Sequence, residues 1–488
     1  MNSNNIKTIT SILLLLCGVG SSEAQFVDTI SLSQLIQLGR QKNISVYESK
    51  VNLQSAELDY LLTKIDAKPT LTGRANLPNY SRTSLSVLQP NGSILFQQIN
   101  NNNSAVGLSL SQNIIGTGGT VFAQTDLQRF DDFEDNSTLY NGIPIRVGII
   151  QPIFGFNEFK WNRTLAPIRL REASKQYIAD LESVNGEATR LFFNLLIAGI
   201  NLEIATANFS NNQSLFEIAE ERYELGKISD SDVLQLKVSL LSAQRSQKNA
   251  QQAVRLASSN IYAFLGLPYN GGMLQTQLPE VGEKVLVDYE QAVEQARGNR
   301  PEIDGFQRQA LEADQDIAAI KGTGGLQADL TASFGLVRAG AQIGDIYKSP
   351  QDEQLVQMNL RVPIVDWGRQ KNQVKLAKAQ KAFAQQLIDQ QSQEFNTQIR
   401  QVVDQFQTVQ EELELAEALK EVAQERFDIA KESFVLGAIS ITELSIAQQE
   451  KDQALRTYIL VLRQYWQSYY QLRSLTLYDF KNKEKIGS

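Results

Sequence analysis

The amino-acid sequence predicts a mainly α-helical, duplicated chain with a smaller β contribution of short alternating strands. Three observations carry this reading. They are an internal repeat, two apolar seams with the 3.5-residue period of coiled coils, and Gly, Asn, Ser and Thr rich stretches of alternating apolar residues.

The repeat is legible without insertions over about 115 residues. Ile149-Ile150-Gln151-Pro152-Ile153 matches Leu360-Arg361-Val362-Pro363-Ile364, and Leu225-Gly226-Lys227-Ile228-Ser229 matches Leu436-Gly437-Ala438-Ile439-Ser440, both at an offset of 211. Upstream, Asn43-Ile44-Ser45-Val46 faces Arg300-Pro301-Glu302-Ile303 at an offset of 257, so the first copy holds 46 extra residues between about Leu71 and Arg146. Each copy reads as helix, β region, very long helix, turn, helix. The chain then divides into an export signal at 1–24 and a first repeat at 25–270, with its β region at 71–155, long helix at 157–222, tip at 223–230 and helix at 231–266. A connector at 271–287 leads to a second repeat at 288–480, with its β region at 328–365, long helix at 368–433, tip at 434–441 and helix at 442–475, before a tail at 481–488.

Residues 1–24 have the order of an export signal: Lys7, an apolar run centred on Ile12 to Leu16, and Ser22-Glu23-Ala24 as a small-x-small cleavage site. Cys17, the only cysteine, lies inside that segment, and Leu16 stands before it where a lipidation site wants Gly, Ala or Ser. A mature chain without thiols suits an oxidising compartment. With no His and one Cys, imidazole bases, Cys/His metal clusters and disulfide frameworks have no residues to form from. The net charge of −8, without any basic run, disfavours a nucleic-acid partner. After the signal, no stretch reaches the roughly 18 to 20 consecutive apolar residues of a spanning helix, which leaves an exported soluble protein or a β-barrel.

The strand-like runs are Leu71 to Asn76, Ile94 to Gln98, Val106 to Ser111, Val121 to Thr125 and Ile145 to Gln151, then Leu330 to Val337 and Gln357 to Val362. Gly116-Thr117-Gly118-Gly119 suggests an added hairpin, and Asn100 to Ser104 reads as an exposed loop. These are too few strands to close a barrel in one chain, so the pattern implies oligomerisation. In the long helices one seam runs Val184, Ala188, Leu191, Leu195, Ala198, Leu202, Ala205, Phe209, Asn212, Phe216, Ala219, Tyr223. The other runs Ile399, Val402, Phe406, Val409, Leu413, Ala416, Lys420, Ala423, Phe427, Ala430, Phe434, with Lys420 as its one polar position. At 1.5 Å per residue the second helix would reach about 100 Å, too long for a compact domain. A dimeric coiled coil would need one such helix, whereas two alternate here with β segments.

On these residues the sequence resembles the outer membrane efflux protein family, the TolC-type channels, over essentially all of Gln25 to about Phe480. The likeness rests on a strand ending in a Pro step before each long helix (Gln151-Pro152-Ile153-Phe154 and Val362-Pro363-Ile364-Val365). It rests also on a tip pattern, aromatic-x-x-Gly-x-x-Ser/Thr-x-x-acidic-aliphatic-Leu, which residues 223–234 fit fully and residues 434–445 fit with Glu443 for Asp and Ser445 for the last Leu. The resemblance implies a duplicated TolC-like fold in a homotrimer, with about four strands per protomer in a 12-stranded outer-membrane barrel and coiled-coil helices walling a periplasmic tunnel. It implies passive efflux of small molecules handed over by a periplasmic adaptor and an inner-membrane transporter of RND or ABC type, with no cofactor and no catalysis.

Carried over by position, the resemblance makes Gly226, Lys227, Ile228, Ser229, Gly437, Ala438, Ile439 and Ser440 the adaptor-docking tips, and Tyr223, Asp232, Phe434 and Glu443 the periplasmic gate. The family can show a second acid nine residues after the second-tip Gly and a base two after it; here these are Ile446 and Ile439, so a single ring of Glu443 would remain. The other reading of Asp232 and Glu443 is as first-turn acids satisfying helix N-termini, and Gly226 and Ser229 also form an ordinary helix stop and start. Phe130, Phe133, Tyr140, Phe154, Phe156, Trp161 and Trp367 gather near the β regions, either as interfacial girdles or as helix-to-barrel packing. Type I protein secretion would use the same duct. A periplasmic coiled-coil adaptor would show a single hairpin inside a β domain, which the doubled plan does not match.

Overall fold

The structure is a computed structural model and describes residues 29–487 apart from 437 and 440. The export signal with Cys17 therefore lies outside the described residues. The order begins with β1 (Thr29–Ile30), α1 (Leu32–Lys42) and α2 (Ile44–Ile65), then β2 (Thr70–Asn76), β3 (Tyr80–Leu88), β4 (Ile94–Ile114), β5 (Gly119–Asp132) and β6 (Ser137–Pro152). The helices α3 (Glu158–Glu224) and α4 (Asp230–Phe264) follow, then β7 (Gln275–Thr276), α5 (Tyr289–Asn299) and α6 (Pro301–Gly324). β8 (Gln327–Gly340), β9 (Gln351–Arg361), α7 (Arg369–Val435), α8 (Ile441–Thr476), β10 (Tyr478–Asp479) and β11 (Glu484–Lys485) close the chain. Both long helices contain 67 residues. The protein is 61% helical.

Two compact units form, and each draws on both repeats. The first comprises residues up to 43, 187–283 and 413–464; the second comprises 44–186, 284–412 and 465–488.

The second unit holds the sheet. Its strands run antiparallel in the order β2-β4-β5-β6-β8-β9, with β3 also on β4. β2 covers residues 105–111 of β4 and β3 covers 94–102, so the two share one place and the sheet has six places. Against an expectation of about four barrel strands per protomer, the sheet holds two places more than that number. It corrects the reading of Asn100 to Ser104 as a loop, because β4 is one 21-residue strand running straight through them. Asparagine is a poor strand former by itself, and here sideways bonding overrides the propensity. Asn102 Nδ2 donates to Asp131 (3.2 Å), Gln128 to Asn103 Oδ1 (2.6 Å), and the Tyr80 hydroxyl to Asn100 Oδ1 (2.8 Å).

Below the sheet, helices of the two repeats are tied by charge and by an aromatic core. Arg308 on α6 donates to both oxygens of Glu172 on α3, at 2.6 and 3.0 Å. Phe406 packs at 5.7 Å from Tyr465 and 6.2 Å from Tyr469. Arg473 bridges Glu182 and Asp479, which are fully or nearly fully buried.

In the first unit the seams are core away from the tips, while Leu202, Phe209 and Phe216 are half-buried and Tyr223 is exposed. Ala188, Leu191, Leu195 and Ala198 on α3 and Leu413, Ala416 and Ala423 on α7 are buried. Lys420, the polar seam position, lies 4.1 Å over the Tyr458 ring of α8 and 3.6 Å from Glu417, so its stem packs while its charge is satisfied. α3 also contains one 18-residue window of mean hydropathy 1.4, apolar enough by length and composition to cross a membrane. A core helix passes the same test, and Leu191, Phe192, Phe193, Leu195 and Leu196 of α3 are buried.

Candidate functional site

Each tip is a helix stop followed at once by a helix start. At the end of α3 the Gly226 amide donates to the Tyr223 carbonyl (2.8 Å) and the Lys227 amide to the Arg222 carbonyl (2.9 Å). This Schellman closure needs a left-handed residue, which Gly226 supplies at φ 66°. The second tip repeats the bond, the Ala438 amide donating to the Ser433 carbonyl at 2.9 Å, again 211 residues on.

Ser229 then caps α4. Its hydroxyl accepts from the Asp232 amide (3.3 Å), while the Ser229 amide (3.1 Å) and hydroxyl (2.7 Å) donate to the Asp232 carboxylate. Those bonds hold Asp232 below the usual carboxylate range. Tyr223 hydrogen-bonds the Asp230 carboxylate, whose charge also pushes the phenol up. Tyr223, Ser229, Asp230 and Asp232 thus form one cluster, to which sequence reasoning contributed all but Asp230. Lys227 is exposed and Ile228 half-buried. On the second tip Ala438 is exposed, Ile439 half-buried, and Glu443 exposed in the first turn of α8. Gly437, Ser440 and the Phe434 side chain lie outside the described residues. The sequence reading passed over Leu225 and Leu436, exposed at 68% and 83%, which the 211-residue offset pairs as matching apolar knobs.

The sheet has two chemically different faces, because residues directly opposite across strands share a face. One row reads Leu71, Leu110, Ala123, Val147, Phe334, Gln354, and the next includes Val121, Ile149, Ala332 and Val356. On the other face one row reads Thr72, Ser109, Gln124, Arg146, Gly335, Glu353. Charge pairs sit on this polar face, Arg74 with Asp126 across Gly107 and Arg146 with Glu353 across Gly335. A Cβ on Gly107 would fall 2.2 Å from Asp126 Oδ1, so glycine leaves the passage for that pair.

Of the aromatics near the sheet, one packs against a helix and others stand exposed. Phe156 packs on Gly322 of α6, where an added Cβ would meet its backbone at 2.6 Å. Phe154 and Trp367 stand exposed at the helix end of the sheet, and Phe133 beside Tyr80 at the far end. Among the described residues no group of three or more His, Cys, Asp and Glu side chains is placed to hold a metal ion.

A family model described as outer membrane efflux protein matches residues 35–267 and 292–476. The chain belongs to the outer membrane efflux protein family. Solved structures share its fold at low identity. The Campylobacter jejuni CmeC outer membrane channel superposes with a TM-score of 0.67 at 15% identity, over 94% of this chain and 87% of that one. VceC, an outer membrane protein of Vibrio cholerae, gives 0.61 at 14% over 91% and 95%. The open state of the Neisseria gonorrhoeae MtrE outer membrane channel gives 0.53 at 14% over 91% and 88%. Comparison with curated protein sequences yields no match. As a member of this channel family the protein has a duplicated TolC-like fold, in which helices of both repeats accompany a sheet with one apolar and one polar face.

Proposed function

We propose that three copies of this outer membrane efflux protein form the exit duct of a tripartite efflux system, conducting small molecules passively out of the periplasm. The observation that carries this reading is the two-faced sheet with edge strands β2 and β9. A lipid-facing apolar side, a water-facing polar side and edges that need partners fit a barrel closed between chains. Tunnel walls come from α3, α4, α7 and α8, a leader removed after Ala24 delivers the chain to the outer membrane, and the connector at 271–287 joins the repeats.

Within this reading Gly226 to Ser229 and Gly437 to Ser440 dock a periplasmic adaptor, with Leu225 and Leu436 as apolar contacts. Tyr223, Asp232, Phe434 and Glu443 border the gate. Asp232 serves there as a capping acid, since its carboxylate is engaged by Ser229. The inner-membrane partner is a transporter of RND or ABC type. The test is complementation of an efflux-deficient outer-membrane-channel deletion strain. Wild-type protein is expected to restore drug resistance, and Gly226→Val, which forces a β-branched residue into a left-handed turn, to lose it while trimers persist on native gels. Full resistance in that variant would remove the first tip from the docking site.

A further inference from the structure

We propose that three copies close an 18-stranded outer-membrane barrel, in which β4 and β5 are lipid-facing wall. The inference rests on the trimeric reading above and changes what the trimer builds. By the sequence repeat, Leu71 of β2 corresponds to Ala328 of β8, and Ile149 to Pro152 of β6 correspond to Leu360 to Pro363, at the end of β9. The strands without a counterpart are β4 and β5, which hold most of the 46 extra residues.

Their placement excludes a loop that extends outward. The turn joining them is at the helix end of the sheet, where the Gly118 amide donates to the Ile114 carbonyl (2.8 Å) and Asn157, just before α3, donates to the carbonyls of Ile115 (3.0 Å) and Gly116 (3.1 Å). All six places begin at that level: Thr70 pairs Ser111, Asn113 pairs Thr120, Thr120 pairs Ile150, Pro152 pairs Asp329 and Gln327 pairs Arg361. On the helix side of the bulge at Gln124 and Asp126 the added strands also continue both faces in phase. Leu110 and Ala123 stand between Leu71 and Val147 in the apolar row, and Ser109 and Gln124 between Thr72 and Arg146 in the polar row. A hairpin lying outside the wall or folded into the lumen would have no reason to keep that phase.

The edges complete the argument. Six alternating places leave β9 antiparallel to β2, so β9 of one copy and β2 of the next can pair in the sense the rest of the sheet uses. Three copies of six places give 18 strands, an even number as barrels of this kind require. Barrel diameter grows roughly linearly with strand number, so this wall is about one and a half times as wide as a 12-stranded one. The lumen then carries the Arg74–Asp126 and Arg146–Glu353 pairs three times over, and selection by size passes from the outer membrane to the helix tips.

Cryo-electron microscopy of the full-length protein in lipid nanodiscs tests this directly. Threefold particles with 18 wall strands are expected; threefold particles with 12, and β4–β5 off the wall, would overturn the inference while leaving the trimeric duct intact. Particles without threefold symmetry would overturn both. Because Cys17 is the only cysteine and falls in the export signal, spin labels at Val121→Cys, Ala123→Cys and Gln124→Cys give a second readout. The first two are expected to be more accessible to oxygen than to a water-soluble nickel chelate, and Gln124→Cys the reverse. Nickel accessibility at Val121 and Ala123 would place the added strands in water and overturn the proposal.

Discussion

Gly107 shows how a single missing Cβ sets the polar face of the sheet. Arg74 and Asp126 sit on strands two places apart, and the strand between them must offer no side chain for their charges to meet. Gly107→Leu is therefore expected to separate the pair. Because that pair is partly exposed, the stability lost is small, about 0–1 kcal/mol, while in the proposed barrel the charge lining the lumen rearranges. Single-channel recordings check this as a changed cation/anion permeability ratio with trimer yield unaltered. At the first tip, Asp232 is held below the usual carboxylate range by the Ser229 hydroxyl and amide, so its protonation opposes the folded cap. The lowered folded value means the contribution is complete above the unfolded pKa of about 3.9 and is lost as pH falls through the folded value. Amide-exchange protection in the first turn of α4 is expected to fall below about pH 4 in wild type. Asp232→Asn should start lower at neutral pH and lack the acid-dependent part. Asp232 was legible in the sequence as an acid near the gate or as a cap, and geometry favours the cap. Asp230 was not singled out, because its role depends on Tyr223 lying across a turn that no spacing rule specifies.

At the scale of elements, the long helices were the most legible feature, since a seam of period 3.5 needs only sequence spacing. Burial of Ala188, Leu195, Ile399, Phe406 and Val409 follows it directly. What spacing could not supply is how an intruding charge is accommodated, which depends on the facing helix. Lys420 survives in the seam because Tyr458 offers a ring face to its ammonium. Tyr458→Leu is expected to cost about 1 kcal/mol by removing the ring face and leaving Glu417 as the partner of the ammonium, and Lys420→Met in that background to recover most of it, measured as a double-mutant cycle by chemical denaturation in detergent. Arg473 is the harsher case. It joins Glu182 and Asp479, both almost inaccessible to solvent, and Arg473→Met takes from two buried carboxylates the guanidinium they share. A loss of about 3–5 kcal/mol is expected, seen as a lower trimer melting temperature. The strands were less legible because Asn100 to Ser104 carry loop chemistry locally, and only pairing with β5 and with the residues around Tyr80 makes them strand.

For the whole molecule, the decisive quantity is which face of the sheet meets lipid, and neighbouring residues of one strand answer it. Val356 and Gln357 are adjacent on the edge strand β9, and both are exposed in a single chain, so burial does not distinguish them. Their cross-strand partners do. Val356 pairs with Ala332 in the apolar row, whereas Gln357 pairs with Thr331 on the polar face. If the apolar row faces hydrocarbon, Val356→Arg places a charge in lipid at a cost of about 2–4 kcal/mol near the bilayer midplane, and repeated in each copy it should sharply reduce heat-resistant trimer in the outer-membrane fraction. Gln357→Arg, one residue on, faces the lumen and should assemble normally while shifting pore selectivity toward anions. Equal assembly of the two variants would mean that β9 does not meet lipid in the phase its pairing dictates. Since the same phase runs from β9 through β8 and β6 into β5, β4 and β2 on the helix side of the β6 bulge, that outcome would reorient the entire wall and not one strand of it.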